Sequence, residues 1–244
     1  MSLSLAEATA RFVDPLLAVV FPSSCPACGA ALAHPTRGPL CEDCWAGLPR
    51  HQSALCRCGL PLPEGLRACG RCRRGLQAFV AGASLGPYEG SLKAAIHEFK
   101  YRSRRRVAGR LAEELLRSDT VREVLRGSEA LVPVPLHPRR RLERGFNQAE
   151  LLAEELAQRT GVGAAPRALV RRKDTRPQAG LSAAGRRLNV AGAFAVRRRA
   201  QIAGRVVVLV DDVFTTGATA SACARALRDG GASEVRLLAA ARVV

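Results

Sequence analysis

The chain has 244 residues, 48% of them hydrophobic and 24% charged. That balance supports one large domain or two small ones with a real core, and it excludes disorder over most of the length. The formal net charge is +17, which favours polyanionic partners: phosphorylated small molecules, nucleic acid or an anionic membrane surface. The excess also has a compositional side. Lys93, Lys100 and Lys173 are the only lysines, and every other base is arginine in an Ala- and Gly-rich chain. No apolar run reaches the ~18 residues of a membrane span. The short apolar stretch Leu16 to Phe21 follows Asp14 without a basic cluster, unlike a secretory leader.

Residues 25–72 carry eight of the nine cysteines in close pairs, a pattern of metal binding in a reducing cytoplasm rather than of disulfides. Cys25-x2-Cys28 is followed by Cys41-x2-Cys44, and Cys56-x-Cys58 by Cys69-x2-Cys72. Two such turns bring four thiolates to one tetrahedral zinc with no open position for water, so the sites are expected to be structural. Few large apolar residues lie here, so metal would supply folding energy. The one-residue gap between Cys56 and Cys58 weakens the second set. His51 could replace a sulfur there, or the site could be degenerate. Trp45 is expected to pack on the first knuckle.

From Phe79 the texture changes. Phe79 to Tyr88 reads as a strand. Ser91 is expected to cap a helix carrying Leu92, Ala95, Ile96 and Phe99. A second helical pattern runs from Val107 to Leu125 with a break near Ser118. Leu131 to Pro135 reads as a short strand at an edge or tied to a loop, because of its prolines. Asn147 to Thr160 is a helix with Ala149, Leu152, Ala153 and Leu156 on one face and Gly161 as its stop. Short strands are expected at Ala168 to Arg171 and Ala193 to Val196. Between them lies a basic, polar loop over 173–187. Arg205 to Val210 has the continuous apolar pattern of a strand buried on both faces. Thr219 to Arg228 is a helix ended by Gly230-Gly231, and Val235 to Ala241 is a last buried strand. Strand, helix, strand is a βαβ unit, so this part is α/β with a parallel sheet. Cys223 reads as a small core residue.

The stretch 206–219 carries the most chemistry. A buried strand delivers Asp211 and Asp212 at its carboxyl end, and Thr215, Thr216, Gly217, Ala218 and Thr219 then open a helix. Ligands of open α/β sheets bind at that edge. Unpaired N–H groups at a helix start, three hydroxyls and a glycine make a phosphate cradle. Two acids beside it suit a phosphate that ends a sugar, whose adjacent hydroxyls donate to the carboxylates. A nucleotide-hydrolase strand would need a Gly-x4-Gly-Lys-Ser/Thr loop, and no lysine here follows a glycine. A plain capped helix needs neither two acids nor three threonines.

This segment resembles the phosphoribosyl-pyrophosphate (PRPP) motif of the type I phosphoribosyltransferases. The chain as a whole is similar to the ComF (ComFC/GntX-like) family of competence-associated members of that superfamily. The likeness is carried by the paired cysteines, Tyr88-Glu-Gly-Ser-Leu-Lys, Ile96-His-Glu-Phe-Lys-Tyr101, Val132-Pro-Val-Pro135, Arg144-Gly-Phe-Asn-Gln148, Asp174-Thr-Arg-Pro-Gln178 and Ala193-Phe194. It implies an α/β fold: a type I phosphoribosyltransferase-like parallel sheet flanked by helices over 77–244, after a small N-terminal zinc-ribbon-like module with a helix over 1–76.

The resemblance also implies roles. Asp211 and Asp212 would hold the ribose hydroxyls, and Thr215 to Thr219 the 5-phosphate. Val134, Pro135, His137, Arg139, Arg140 and Arg144 would face the pyrophosphate. Residues 173–180, with Arg176 as a catalytic residue beside the two aspartates, would close over the reacting carbon. Mg²⁺ with PRPP and structural zinc would be the cofactors. No general base is evident, and the acceptor and the oligomeric state are not legible.

The expected activity is Mg²⁺-dependent phosphoribosyl transfer with pyrophosphate release in the cytoplasm, linked by family to DNA uptake. The alternative is a non-catalytic PRPP-sensing factor that handles single-stranded DNA with a helicase-type competence partner. Aromatic residues are only 4% of the chain, which disfavours a base-stacking platform but leaves backbone contacts open. A redox cysteine enzyme is the least favoured reading.

Overall fold

A computed structural model describes residues 23–34, 38–101, 105–173, 185 and 189–244. Leu16 to Phe21, the Asp174 to Gln178 block and Arg176 lie outside these residues.

Two short helices, α1 (Glu42–Ala46) and α2 (Gly70–Arg73), belong to the cysteine-rich segment. Then follow β1 (Gly82–Pro87), α3 (Gly90–Tyr101), α4 (Arg105–Leu116), α5 (Asp119–Leu125), β2 (Ala130–Pro133), α6 (Pro138–Arg144), α7 (Gln148–Thr160), β3 (Gly163–Ala164), β4 (Leu169–Arg171), β5 (Phe194–Val196), β6 (Val206–Phe214), α8 (Ala218–Asp229) and β7 (Glu234–Arg242). The main sheet has the order β1-β7-β6-β2-β3 and every pairing in it is parallel. β4 and β5 pair antiparallel as a separate ribbon.

β6 and β7 lie in the middle, which explains their apolar sequence: Val207 to Val210 and Leu237 to Ala241 are all buried. Alternate residues serve opposite faces. Val208, Val210 and Leu238 join Leu92, Ile96, Leu111 and Leu152 of α3, α4 and α7 in one core. Val207, Leu209 and Leu237 join Ala220, Cys223 and Leu227 of α8 in the other, together with Leu169 and Phe194 of the ribbon. Cys223 is therefore a core residue, as its small apolar neighbours suggest.

The cysteine-rich segment is divided between the same two cores. Cys25, with Leu40, Trp45 and Leu48, packs into the first, and Cys56, Cys58, Cys69 and Cys72 pack into the second. The Arg110 guanidinium stacks 5.2 Å from the Trp45 ring centroid. The segment covers the free side of β1, where Gly82 N–H donates to the Arg57 carbonyl at 2.7 Å, so this strand does not present an open edge.

Several local expectations change. Ser91 is not a cap; it lies inside α3, and its hydroxyl donates to the Gly47 carbonyl at 3.4 Å. β2 is not an edge strand, because β6 and β3 flank it. Its prolines are tolerated for a geometric reason. Val134 N–H bonds β6, whereas Leu131 faces β3. Pro133 and Pro135 therefore turn their missing N–H toward the side where the two-residue β3 pairs no further than Leu131. β6 runs four residues past Val210, so both aspartates are part of the strand. The break near Ser118 is present between α4 and α5, and Asn147 caps α7, its Oδ1 accepting from Ala149 N–H at 3.1 Å.

Candidate functional site

The carboxyl edge of the sheet opens into a cavity of about 420 Å³. Its wall includes Asp211, Asp212, Thr215, Gly217 and Thr219 from β6 and the turn into α8, Val134, Pro135 and Arg140 after β2, Tyr88 and Lys100, and Arg171 from the ribbon. The two acids and the threonine turn thus share one cavity. Thr216 and Ala218 contribute to the turn without lining it. Of the residues after β2, Arg140 reaches the cavity. His137 instead caps α6, Arg139 pairs with Glu143 at 3.3 Å, and Arg144 donates to Gln148 Oε1 at 3.4 Å.

β6 positions the acids. β2 accompanies it only as far as Val210, where Val134 N–H donates to the Val210 carbonyl at 2.8 Å. Beyond that point Asp212 N–H bonds Asp211 Oδ1 at 2.9 Å, and Val213 N–H bonds Asp212 Oδ1 at 2.6 Å. The Val134 carbonyl is taken by Asn147 Nδ2 at 3.1 Å, which ties the α7 cap to this edge. Lys100 Nζ lies 3.1 Å from Asp212 Oδ2. Burial, then the Asp212 charge, push the Asp211 carboxyl well above the usual carboxylate range, and Lys100 opposes this. Two adjacent acids are thus held close together, with a cation from α3 as partial compensation.

The turn presents a cradle. Gly217 is the N-cap of α8 at φ +77°, and no side chain caps the helix. A Cβ at Gly217 would stand 2.8 Å from both Gln77 Oε1 and Phe214 Cε2, so backbone conformation and space both require glycine. Gly217, Thr219 and Ala220 bring the start of α8, the positive end of its dipole, to the cavity wall. Lys100, Arg140 and Arg171 add positive charge around the wall.

The cysteines form two sets of four, Cys25-Cys28-Cys41-Cys44 and Cys56-Cys58-Cys69-Cys72, with all sulfurs of a set within 4.8 Å of one another. Tetrahedral zinc at ~2.3 Å from each sulfur needs sulfur separations of about 3.8 Å. Cys28 to Cys41 and Cys58 to Cys69 are each 3.7 Å apart, so the donors fit structural zinc. The short Cys56-x-Cys58 gap is absorbed by a tighter turn. Gly59 N–H bonds the Cys56 carbonyl, three residues back, where Gly29 bonds Cys25, four back. His51 is not needed as a ligand; its Nε2 lies 2.8 Å from Ser84 Oγ. Within each set one thiol is drawn down. Burial opposes ionisation of Cys25 and Cys56, but main-chain N–H groups bring them to about 6 and about 7.

Four contributors carry no signal strong enough to single them out in the sequence. Lys100 stands in the Ile96 to Tyr101 block without an assigned role. Arg71 reads as a base between two ligands, yet its Nη1 donates to the Thr216 carbonyl. Gln77 accepts from Ser221 Oγ at 2.8 Å. Arg242 is 2% exposed, with its guanidinium 4.0 Å from the Phe214 ring centroid.

A parallel sheet with an acid pair and a threonine-glycine turn at its carboxyl edge, joined to two four-cysteine clusters, defines a phosphoribosyltransferase-like protein with a zinc-ribbon module. The double zinc ribbon domain family matches residues 16–73, and the phosphoribosyl transferase domain family matches residues 142–243. The chain belongs to the ComF family of competence-associated proteins. It is 34% identical over 220 residues to the DNA utilization protein YhgH of Salmonella typhimurium, covering 88% of this chain and 95% of that protein. It is 31% identical over 213 residues to Competence protein F of Haemophilus influenzae, covering 86% and 93%. Against Competence protein ComFC of Bacillus subtilis the identity is 31% over 149 residues, covering 61% and 58%. No helix among the described residues is long and apolar enough to cross a membrane.

Proposed function

We propose that the cavity binds PRPP and that the protein transfers its phosphoribosyl group with release of pyrophosphate. The observation that carries this reading is the placement of Asp211, Asp212 and the Thr215 to Thr219 turn on one wall. Asp211 and Asp212 accept from the ribose hydroxyls. The start of α8 and the Thr215 and Thr219 hydroxyls hold the 5-phosphate. Arg140, with Val134 and Pro135 behind it, faces the leaving pyrophosphate, and Arg171 and Lys100 complete a cationic rim. Charge develops on that leaving group in an oxocarbenium-like transition state, and fixed cations stabilise it without reorganising. The hard carboxylate oxygens also suit Mg²⁺, which when bound supplies Lewis-acid neutralisation of the pyrophosphate. Arg176 belongs to the loop read as closing over the reacting carbon, and exclusion of water there protects the sugar from hydrolysis.

A thermal shift tests the reading. PRPP at 100 times its Kd adds about 2.7 kcal/mol to the stability of the protein that binds it. With Mg²⁺ present, PRPP should raise the melting temperature, and the Asp211→Ala, Asp212→Ala double variant should lose that rise. No rise in the unaltered protein defeats the proposal.

One observation favours a second activity alongside. Helix α6 has no buried residue, carries Arg139, Arg140, Arg141 and Arg144, and leaves Leu142 85% exposed. Relatives bear names of DNA utilization and competence. Binding of single-stranded DNA through its backbone should weaken at least about tenfold between 50 and 200 mM salt. Anisotropy of a labelled oligonucleotide measures it, and negligible affinity near physiological salt would make the charge compositional.

A further inference from the structure

The second cysteine cluster is joined to the 215–219 turn by contacts from three separate segments. Arg71 stands between Cys69 and Cys72, and its Nη1 donates to the Thr216 main-chain oxygen. Arg242, the last residue of β7, donates to the Cys58 main-chain oxygen at 2.6 Å and lies over the ring of Phe214, the residue before the turn. Gln77, a few residues beyond Cys72, packs against Gly217 and holds Ser221 of the first turn of α8.

A zinc ribbon that only supplemented the core would need no more than apolar contact with the sheet. Here a guanidinium from within the knuckle is committed to one carbonyl of the turn. The peptide unit is planar and trans, so its C=O and N–H point in opposite directions. Anchoring the Thr216 carbonyl to Arg71 therefore turns the Gly217 N–H away from the cysteine cluster. Gly217 is also a wall residue of the cavity. Without the anchor, the left-handed conformation at Gly217 would have nearby αR and extended alternatives, and the donor array would lose its fixed aim.

We propose that Arg71 is a positioning residue for the phosphate turn, and that through it the Cys56-Cys58-Cys69-Cys72 zinc site and the sugar-phosphate pocket are thermodynamically linked. The linkage, though not the anchor itself, rests on the reading of 215–219 as a phosphate cradle. Coupling is reciprocal: metal at this cluster tightens ligand binding, and ligand tightens metal binding by the same factor.

Hydrogen–deuterium exchange of the full, zinc-loaded chain without ligand tests the anchor. Arg71→Ala should retain two zinc ions per chain, while the Ser221 amide, which bonds the Gly217 carbonyl at 2.8 Å, and the helix amides after it exchange roughly tenfold faster, as expected when a charge-assisted hydrogen bond holding that turn is lost. Arg71→Lys, which keeps a donor, should restore most of the protection. Should Arg71→Ala lose zinc, Arg71→Met makes the same comparison with the chain length kept. Unchanged exchange in a variant that keeps both zincs overturns the anchor. The second arm uses ribose 5-phosphate as the probe and a chromogenic chelator as the readout. Ribose 5-phosphate should raise at least about threefold the chelator concentration that removes one of the two zinc ions at equilibrium in the unaltered protein and not in the Arg71 variant. The same chelator requirement with and without bound ribose 5-phosphate overturns the linkage. If the unaltered protein binds no ribose 5-phosphate, the phosphate reading of the turn falls, and the exchange measurement still decides the anchor.

Discussion

Asp211 shows at a single residue how a binding site works against the fold that holds it. Burial and the neighbouring Asp212 carboxylate raise its pKa in the folded chain. Below about pH 4, the ordinary carboxyl value, folded and unfolded chains both keep the proton and the residue imposes no penalty. As pH rises, the unfolded chain ionises freely while the folded chain resists, so stability falls until the raised folded pKa is passed. Asp211→Asn removes that penalty. Denaturant unfolding without ligand should find this variant more stable than the unaltered protein at pH 7.5, with the difference vanishing below about pH 4. A variant equally or less stable at pH 7.5 would mean that the carboxylate is well compensated where it stands. Asp211 and Asp212 were legible because two acids ending a buried apolar strand are hard to explain otherwise. Lys100 and Arg71 were not, since their partners lie far along the chain and one base among 38 carries no periodic signal.

Among the elements, those written by periodicity came through with shifts at their ends. The βαβ unit of β6, α8 and β7 follows from continuous apolar strands around an amphipathic helix, and Asn147 and Gly161 bracket α7 as their chemistry requires. The misread elements share a cause: tertiary neighbours. β2 has an internal place because β3 is too short to need the N–H groups that its prolines lack, a relation invisible in either segment alone. The cysteine sets invert their apparent ranking. By spacing the first is the more regular, yet all four cysteines of the second are buried, whereas Cys28 of the first is exposed. Cys58→Ser should therefore reduce zinc from two ions per chain to one and lower stability more than Cys28→Ser does. Elemental analysis and thermal unfolding of both variants provide the comparison. A larger loss from Cys28→Ser would show that the exposed cluster bears more of the folding energy.

At the scale of the whole molecule, the two cysteine clusters are distributed one to each side of the sheet, and the backbone between them covers the outer side of β1. Removing metal should thus loosen both cores. The sequence located the metal segment and the sugar-phosphate edge separately. Their junction lay beyond it, because Cys58, Gln77, Phe214 and Arg242 converge only when β7 is in place. We propose that one cavity at the carboxyl edge holds a phosphorylated pentose by two acids and a helix start. A crystal of the protein soaked with PRPP and Mg²⁺ tests it most directly. Density is expected for the ribose with its hydroxyls on Asp211 and Asp212 and its 5-phosphate against Thr215 to Thr219. An empty cavity at saturating ligand, or a sugar bound elsewhere with Asp212 still paired to Lys100, would contradict it.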